Sequence, residues 1–171
     1  MIRCVAARTI AIISDTHLPR GDRTLPADCV SRLHAADLII HAGDLSVAGV
    51  FEQLRAFGEV AAVHGNVDDA AVRALLPPRL ELTVEDIRLG VVHDAGPASG
   101  RLARLRRAFA GADAVIFGHS HIPLLERDPA GGFQIFNPGS PTDKRRQPNY
   151  TMGWALVDGG EISFELVELG R

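Results

Sequence analysis

Short apolar, β-branched runs that stop abruptly at segments bearing histidine, aspartate or glycine set the frame of this chain. Thr9-Ile-Ala-Ile-Ile13 stops at Ser14-Asp15-Thr16-His17, and Asp37-Leu-Ile-Ile40 stops at His41-Ala42-Gly43-Asp44. Val60-Ala-Ala-Val63 stops at His64-Gly65-Asn66, and Ala114-Val-Ile-Phe117 stops at Gly118-His119-Ser120-His121. Apolar runs of this length without polar alternation read as strands buried on both faces. Ala27 to Ala35 reads as a helix. The apolar spacing at 47, 50, 51, 54 and 57 predicts another over Val47 to Phe57, ended by Gly58. Asp68 to Leu76 reads as a short helix stopped by Pro77-Pro78. The first half is therefore β-α-β-α-β. That order calls for a parallel sheet, whose strand ends gather along one rim.

The pattern then changes. Leu80 to Val84 and Ile87 to His93 read as two strands joined by a tight turn at Glu85-Asp86. Ser99 is expected to cap a helix running to Ala110. Leu124 to Arg127, Phe133 to Phe136, Thr151 to Val157 and Ile162 to Val167 follow as strands with glycine-rich turns. The second half thus reads as mostly antiparallel hairpins. Two facing sheets with helices outside satisfy both halves, an α/β (α+β) arrangement. The 171 residues contain no linker, so one domain over 1–171 is expected.

The strand ends carry the chemistry. Asp15, His17, Asp44, Asn66, His93, His119 and His121 form a set of oxygen and imidazole donors without thiolate. Such donors suit hard-to-borderline divalent cations. Asp44 can bridge two ions through its two oxygens, and two-metal catalysis needs ions roughly 3.5–4 Å apart. Asn66 adds a neutral oxygen and leaves room for an anionic phosphate. Each motif alone is weak, because Asp-x-His is common in loops and Gly-Asp or Gly-Asn is a turn signal. Their conjunction, each placed after an apolar strand, is what points to metal.

The net charge of −3 gives no general attraction to nucleic acid or to an anionic membrane. Cys4 and Cys29 are not in a Cys-x-x-Cys pair and read as two reduced thiols. Thr9 to Ile13 is too short for a signal segment or a membrane span, so a cytoplasmic location is expected.

In this order the motifs resemble the calcineurin-like metallophosphoesterase superfamily. The resemblance spans almost the whole chain and rests on Asp15/His17, Gly43-Asp44, Gly65-Asn66, His93 and Gly118-His119-Ser120-His121. The small size and the Asn137-Pro138-Gly139-Ser140 turn resemble its small bacterial and archaeal phosphodiesterase branch. The resemblance implies a four-layer α-β-β-α sandwich, two facing mixed sheets flanked by helices. It implies one ion held by Asp15, His17, Asp44 and His121. A second would be held by Asp44, Asn66, His93 and His119, with Asp44 bridging. Asp44, Asn66 and His119 are the residues expected in catalytic roles. The expected cofactor is two divalent metal ions, manganese first, with iron, zinc, magnesium, nickel and cobalt as alternatives. The expected reaction is hydrolysis of a phosphate ester, a diester foremost, by a hydroxide bridging the ions. The expected partner is a small phosphorylated substrate rather than nucleic acid or a membrane, and edge strands leave room for a homo-oligomer. The competing expectations are a non-catalytic metal-binding or protein-interaction module on the same fold and, behind it, a nuclease.

Two segments depart from that pattern. Many relatives carry histidine where Val67 stands, and valine cannot protonate a leaving oxygen. Many also carry a glycine and a second histidine after the His93 position, where this chain has Asp94-Ala95-Gly96. Among other residues, His64 can support a ligand by hydrogen bonding, but His41 and His64 read first as satisfied core or rim histidines. His34 reads as structural. Asp68 and Asp94 can orient imidazoles or cap loops. Lys144-Arg145-Arg146 can grip a phosphate, although a solvated charge run is the leading reading. Arg101, Arg104, Arg106 and Arg107 read as an ordinary polar helix face.

Overall fold

A computed structural model describes residues 7–170. Cys4, and with it half of the expected thiol pair, lies outside them. The strands are β1 (Arg8–Ile13), β2 (Leu38–His41), β3 (Val60–Ala62), β4 (Arg79–Val84), β5 (Ile87–Val92), β6 (Ala114–Ile116), β7 (Leu124–Arg127), β8 (Gln134–Asn137), β9 (Tyr150–Asp158) and β10 (Glu161–Leu169). The helices are α1 (Ala27–Ala35), α2 (Ala48–Arg55), α3 (Ala70–Leu75) and α4 (Arg101–Ala108). One sheet runs β10-β9-β1-β2-β3 and the other β4-β5-β6-β8-β7. None of these helices is long and apolar enough to cross a membrane.

The uninterrupted apolar runs are explained by burial on both faces. Ile10 and Ile12 of β1 point between the sheets and meet Leu89, Val91, Ile116 and Phe136 from the second sheet. Ala11 and Ile13, the alternate residues, point outward to Cys29 and Leu33 of α1 and to Val50 and Leu54 of α2. On the far side, Val115 and Ile135 pack on Leu105 of α4 and on Phe109. Three apolar layers between four structural ones make the α-β-β-α sandwich. Burying each of these side chains contributes on the order of 1.5–3 kcal/mol.

Two expectations are corrected. The second half is less antiparallel than its turns suggest, because β5, β6 and β8 run parallel at the centre of their sheet. The α4 crossover returns the chain to the same end of the sheet, where β6 starts beside β5, and β6 is only 3 residues long. The β9–β10 hairpin joins the first sheet, where β9 lies antiparallel to β1. Ser99 does not cap α4. Gly100 holds that position at φ 65°, a conformation glycine adopts without steric cost.

β1, β2 and β3 are parallel, so their carboxyl ends share one rim. The parallel β5 and β6 end on the same side of the molecule. The Gly118 N–H donates to the His93 carbonyl at 3.0 Å, and His119 N–H donates to Asp15 Oδ2 at 2.9 Å. Loops from the two sheets thus meet directly.

Candidate metal centre

Loops after β1, β2, β3, β5 and β6 supply the seven side chains singled out above. The backbone there is unusual. Asp15, His17, Asp44, His119 and His121 all adopt positive φ, between 46° and 68°. A residue other than glycine held there costs about 1–3 kcal/mol, and such strain clusters at functional sites. Close approach is built in as well. A Cβ on Gly65 would overlap Asp44 Oδ1, and one on Gly118 would overlap the Ser14 hydroxyl. The glycines before Asn66 and His119 therefore let loops from different strands touch.

Two groups of donors result. Asp15, His17 and His121 place one ligand atom each within 4.8 Å of one another, and so do Asp44, His93 and His119. Asn66 completes the second group. Its Oδ1 lies 3.1 Å from His93 Nε2 and 2.9 Å from His119 Nδ1. Asp44 Oδ2 lies 3.2 Å from His93 Nε2 and 3.9 Å from His17 Nε2, between the two groups. His119 and Asn66 are exposed while Asp15, His17, Asp44, His93 and His121 are buried, so the centre opens to solvent on the Asn66/His119 side.

Several contacts hold the ligand atoms in place. His93 Nδ1 bonds the Ala42 carbonyl at 2.8 Å and His121 Nδ1 the Asp143 carbonyl at 2.5 Å. Each imidazole thus presents Nε2 inward. The Ser14 hydroxyl donates to Asp15 Oδ2 at 2.7 Å. The Val67 N–H donates to Asp44 Oδ1 at 3.0 Å, leaving Oδ2 free to face inward.

The electrostatics suit a cation. Asp15 Oδ1 is buried without a hydrogen-bond partner. Burial raises the Asp15 pKa to about 6, against the opposing pull of His93. Burial also lowers the pKa of His17 and of His121, so both favour the neutral, lone-pair form. Burial acts to raise Asp44, but the hydrogen bond and charge of His93 outweigh it and hold Asp44 down at about 2. Burial likewise disfavours charged His93, yet Asp44 and Asp15 raise its pKa on balance. An unpartnered carboxylate oxygen and inward-facing imidazole nitrogens fit divalent metal ions.

The remaining candidates separate clearly. His41 is fully buried, with Nε2 3.0 Å from the Thr16 hydroxyl and Nδ1 accepting from the Gly43 N–H. It buttresses the loops and holds no inward position. His64 Nδ1 lies 3.3 Å from the Gly65 carbonyl, and His34 packs edge-on against Phe57. Asp94 accepts from the Gly96 N–H, a loop cap. Asp68 proves more central. Its carboxylate accepts from the N–H groups of Asp44 (3.0 Å), Ser46 (2.6 Å) and Gly65 (2.6 Å), clamping two ligand loops together. Arg101 and Arg104 are not merely a polar face, since they donate to carbonyls of Gly96, Ala95, Pro97 and Ser99. Sequence reasoning missed Ser14 and Arg73. Arg73 donates to the carbonyls of Asn66 and Asp68 and fixes the Asn66 loop. No motif signal marks a helix arginine for that task.

Residues 9–160 match the model of the calcineurin-like phosphoesterase superfamily domain. The chain belongs to the calcineurin-like phosphoesterase superfamily. A probable metallophosphoesterase of Methanocaldococcus jannaschii is 37% identical over 139 residues, covering 80% of this chain and 69% of the relative. One from Methanothermobacter thermautotrophicus is 31% identical over 164 residues, covering 94% and 92%. Among solved structures, Vps29 of Entamoeba histolytica superposes with a TM-score of 0.75 at 21% identity, over 95% of this chain and 99% of that one. At that identity the likeness concerns the fold. Superfamily membership and the two donor groups together make this a metal-dependent phosphoesterase.

Proposed function

We propose that the protein is a phosphodiesterase that works with two divalent ions, manganese foremost, on a small phosphorylated substrate. Asp15, His17, Asp44 and His121 would hold one ion, and Asp44, Asn66, His93 and His119 the other. The observation that carries this reading is Asp44. Its Oδ2 faces His93 and His17, members of two adjoining donor groups. Divalent ions so held supply Lewis acidity, which lowers the pKa of water and offsets charge on a phosphoryl group.

The chain's own residues do the rest. Asp15 and Asp44 bring two negative charges, so neutral Asn66 keeps the open side able to receive an anion. Exposed His119 stands on that side, its Nδ1 taken by Asn66. Val67, 50% exposed beside Asn66, offers no proton to a leaving oxygen. Esters whose leaving group departs without protonation are therefore preferred, which favours aryl diesters over simple alkyl monoesters. The charge of −3 argues against a nuclease.

The test is hydrolysis of bis(p-nitrophenyl) phosphate by chelator-stripped protein, with and without manganese, beside Asp44→Asn. Activity restored by metal and lost in the variant is the expected result. Folded protein that stays inactive with every divalent metal would replace this reading with a non-catalytic binding module.

A further inference from the structure

His17 and His121 stand 104 residues apart in sequence, yet they share one donor group. The segment after the Asn137–Ser140 turn holds that group together. The Ser140 hydroxyl donates to the Asp15 carbonyl at 2.8 Å, and the Thr142 hydroxyl donates to the Thr16 carbonyl at 2.6 Å. The Asp143 carbonyl accepts from His121 Nδ1 at 2.5 Å. The direction of the His121 ring therefore depends on where Asp143 puts its carbonyl.

Three contacts fix Asp143. Its N–H donates to the Ser140 hydroxyl at 2.8 Å, its carbonyl takes His121, and its Oδ2 lies 3.3 Å from Arg23 Nη1. The two side chains of this ion pair are only 25% and 18% exposed. Arg23 Nη1 is buried and makes no hydrogen bond, so the Asp143 carboxylate is its counter-charge. A pair sheltered in this way is screened less than a surface one, and removing one partner leaves a charge uncompensated. Lys144, the next residue, is engaged elsewhere, its Nζ donating to the carbonyls of Gln147 and Pro148 at 3.1 and 2.8 Å. Arg23 itself belongs to the β1–α1 loop that begins with Asp15 and His17, and its N–H closes a turn on the Arg20 carbonyl at 3.2 Å. The ion pair thus ties the loop carrying two donors to the residue that orients the third.

We propose that Arg23 is a positioning residue for metal binding, its ion pair with Asp143 fixing the carbonyl that aims His121 Nε2 into the Asp15/His17/His121 group. The inference rests on the metal-dependent reading of that centre. It gives Arg23 no contact with ion or substrate. A ring aimed beforehand loses less freedom on binding, and the outer partners of ligating histidines are worth tenfold or more in metal affinity.

The experiment measures manganese binding by calorimetry in the full chain for the parent, Arg23→Gln, Arg23→Lys, Asp143→Asn, the double variant Arg23→Gln/Asp143→Asn and Arg20→Gln. Melting temperature, the cobalt(II) absorption band and bis(p-nitrophenyl) phosphate hydrolysis are followed for each. One of two binding steps should weaken about tenfold in Arg23→Gln and in Asp143→Asn, with the other step at the parental value and the cobalt band altered. The double variant should bind no worse than either single one, because all three have lost the same contact. Arg23→Lys should recover part of the loss, since it keeps the charge without the fork, and Arg20→Gln, which removes an exposed arginine from the same turn, should match the parent. A lowered melting temperature with parental affinity and cobalt band would reduce Arg23 to a loop anchor and overturn the proposal. Equal weakening of both steps, or additive losses in the double variant, would overturn it too. A parent that binds two ions and shows the expected losses, yet hydrolyses no ester, upholds the positioning role and ends the phosphodiesterase reading. A parent that turns over normally while Arg23→Gln keeps both affinities ends the positioning role alone, and a parent that binds no divalent ion ends both.

Discussion

The Nε2 atoms of His17 and His121 face each other across 3.2 Å. The His121 ring is held so by the Asp143 carbonyl on its Nδ1, and Asp15 Oδ1 lies 3.3 Å from its Nε2. Two neutral imidazoles can share one proton there but satisfy no more. The arrangement is relieved by a cation that accepts both lone pairs together with the carboxylate oxygen.

Metal should therefore stabilise the fold as well as serve the chemistry. A cation at 100 times its dissociation constant contributes about 2.7 kcal/mol of stability. For a chain of 171 residues that is roughly 5–10 °C in melting temperature. Thermal unfolding with added manganese, against protein in excess chelator, should show this rise. His121→Ala should show little of it. A melting temperature blind to both metal and chelator would contradict the donor assignment.

Asp15 sets a pH dependence whose sign follows from burial. Its folded pKa, about 6, lies above the 3.8 of a free aspartate. Between those values the unfolded chain has released the proton and the folded chain has kept it, so metal-free stability falls as pH rises through 4 to 6. Above pH 6 the ionised group costs about 3 kcal/mol. Metal-free Asp15→Asn should accordingly be more stable than the parent at pH 8 in urea unfolding, with the gap closing by pH 4. Manganese affinity of the parent should decline below pH 6, where protons compete for Asp15. An Asp15→Asn variant less stable than the parent at pH 8 would show that the ionised carboxylate is not a net cost.

Asp68 touches no inward-facing ligand atom, yet it holds the backbone of two loops that present them. Replacing it with alanine would strand three N–H groups, those of Asp44, Ser46 and Gly65. Stranding them should cost about 3 kcal/mol or more in denaturant unfolding. Because Asp44 and Asn66 lose their common anchor, manganese affinity should drop at least tenfold. Asp68→Ala with parental stability and metal affinity would reduce the clamp to an incidental contact.

Much of this was legible in the strands. The uninterrupted run Thr9 to Ile13 announced burial on both faces, and its abrupt end announced the loop carrying Asp15 and His17. The order of motifs singled out the seven side chains that these loops bring together. What stayed hidden depends on partners distant in sequence. Asp68 looked equally like a loop cap and an imidazole-orienting group, because two of its three N–H donors, those of Asp44 and Ser46, lie on a loop more than 20 residues away. The parallel pairing of β6 with β8 was invisible for a similar reason. A strand of 3 residues has too few positions to reveal which neighbour it joins. Gly100 displaced Ser99 as the α4 cap because a left-handed entry, which local cap preferences do not foresee, sets the angle of that loop.

Val67 is the position where the chemistry can be redirected. Its N–H is fixed to Asp44 Oδ1 at 3.0 Å while its side chain is 50% exposed, so a larger polar side chain can be accommodated there. With valine, nothing at this position protonates the departing oxygen, and rates should fall steeply as the leaving group becomes more basic. Val67→His introduces an imidazole that titrates near neutrality next to Asn66. A well-placed general acid contributes about 10²–10⁴-fold, so an imperfectly placed one should still raise kcat/KM for an alkyl ester about tenfold. Aryl esters, which need little protonation, should change by far less. The measurement is kcat/KM over a series of phosphodiesters graded by leaving-group pKa, for the parent and the variant at equal metal content. A flatter dependence in Val67→His, with a basic limb appearing near the histidine pKa, supports protonation as the missing function. Parallel lines for the two proteins would mean that leaving-group protonation does not limit the reaction, and would remove the ground for the proposed preference for aryl diesters.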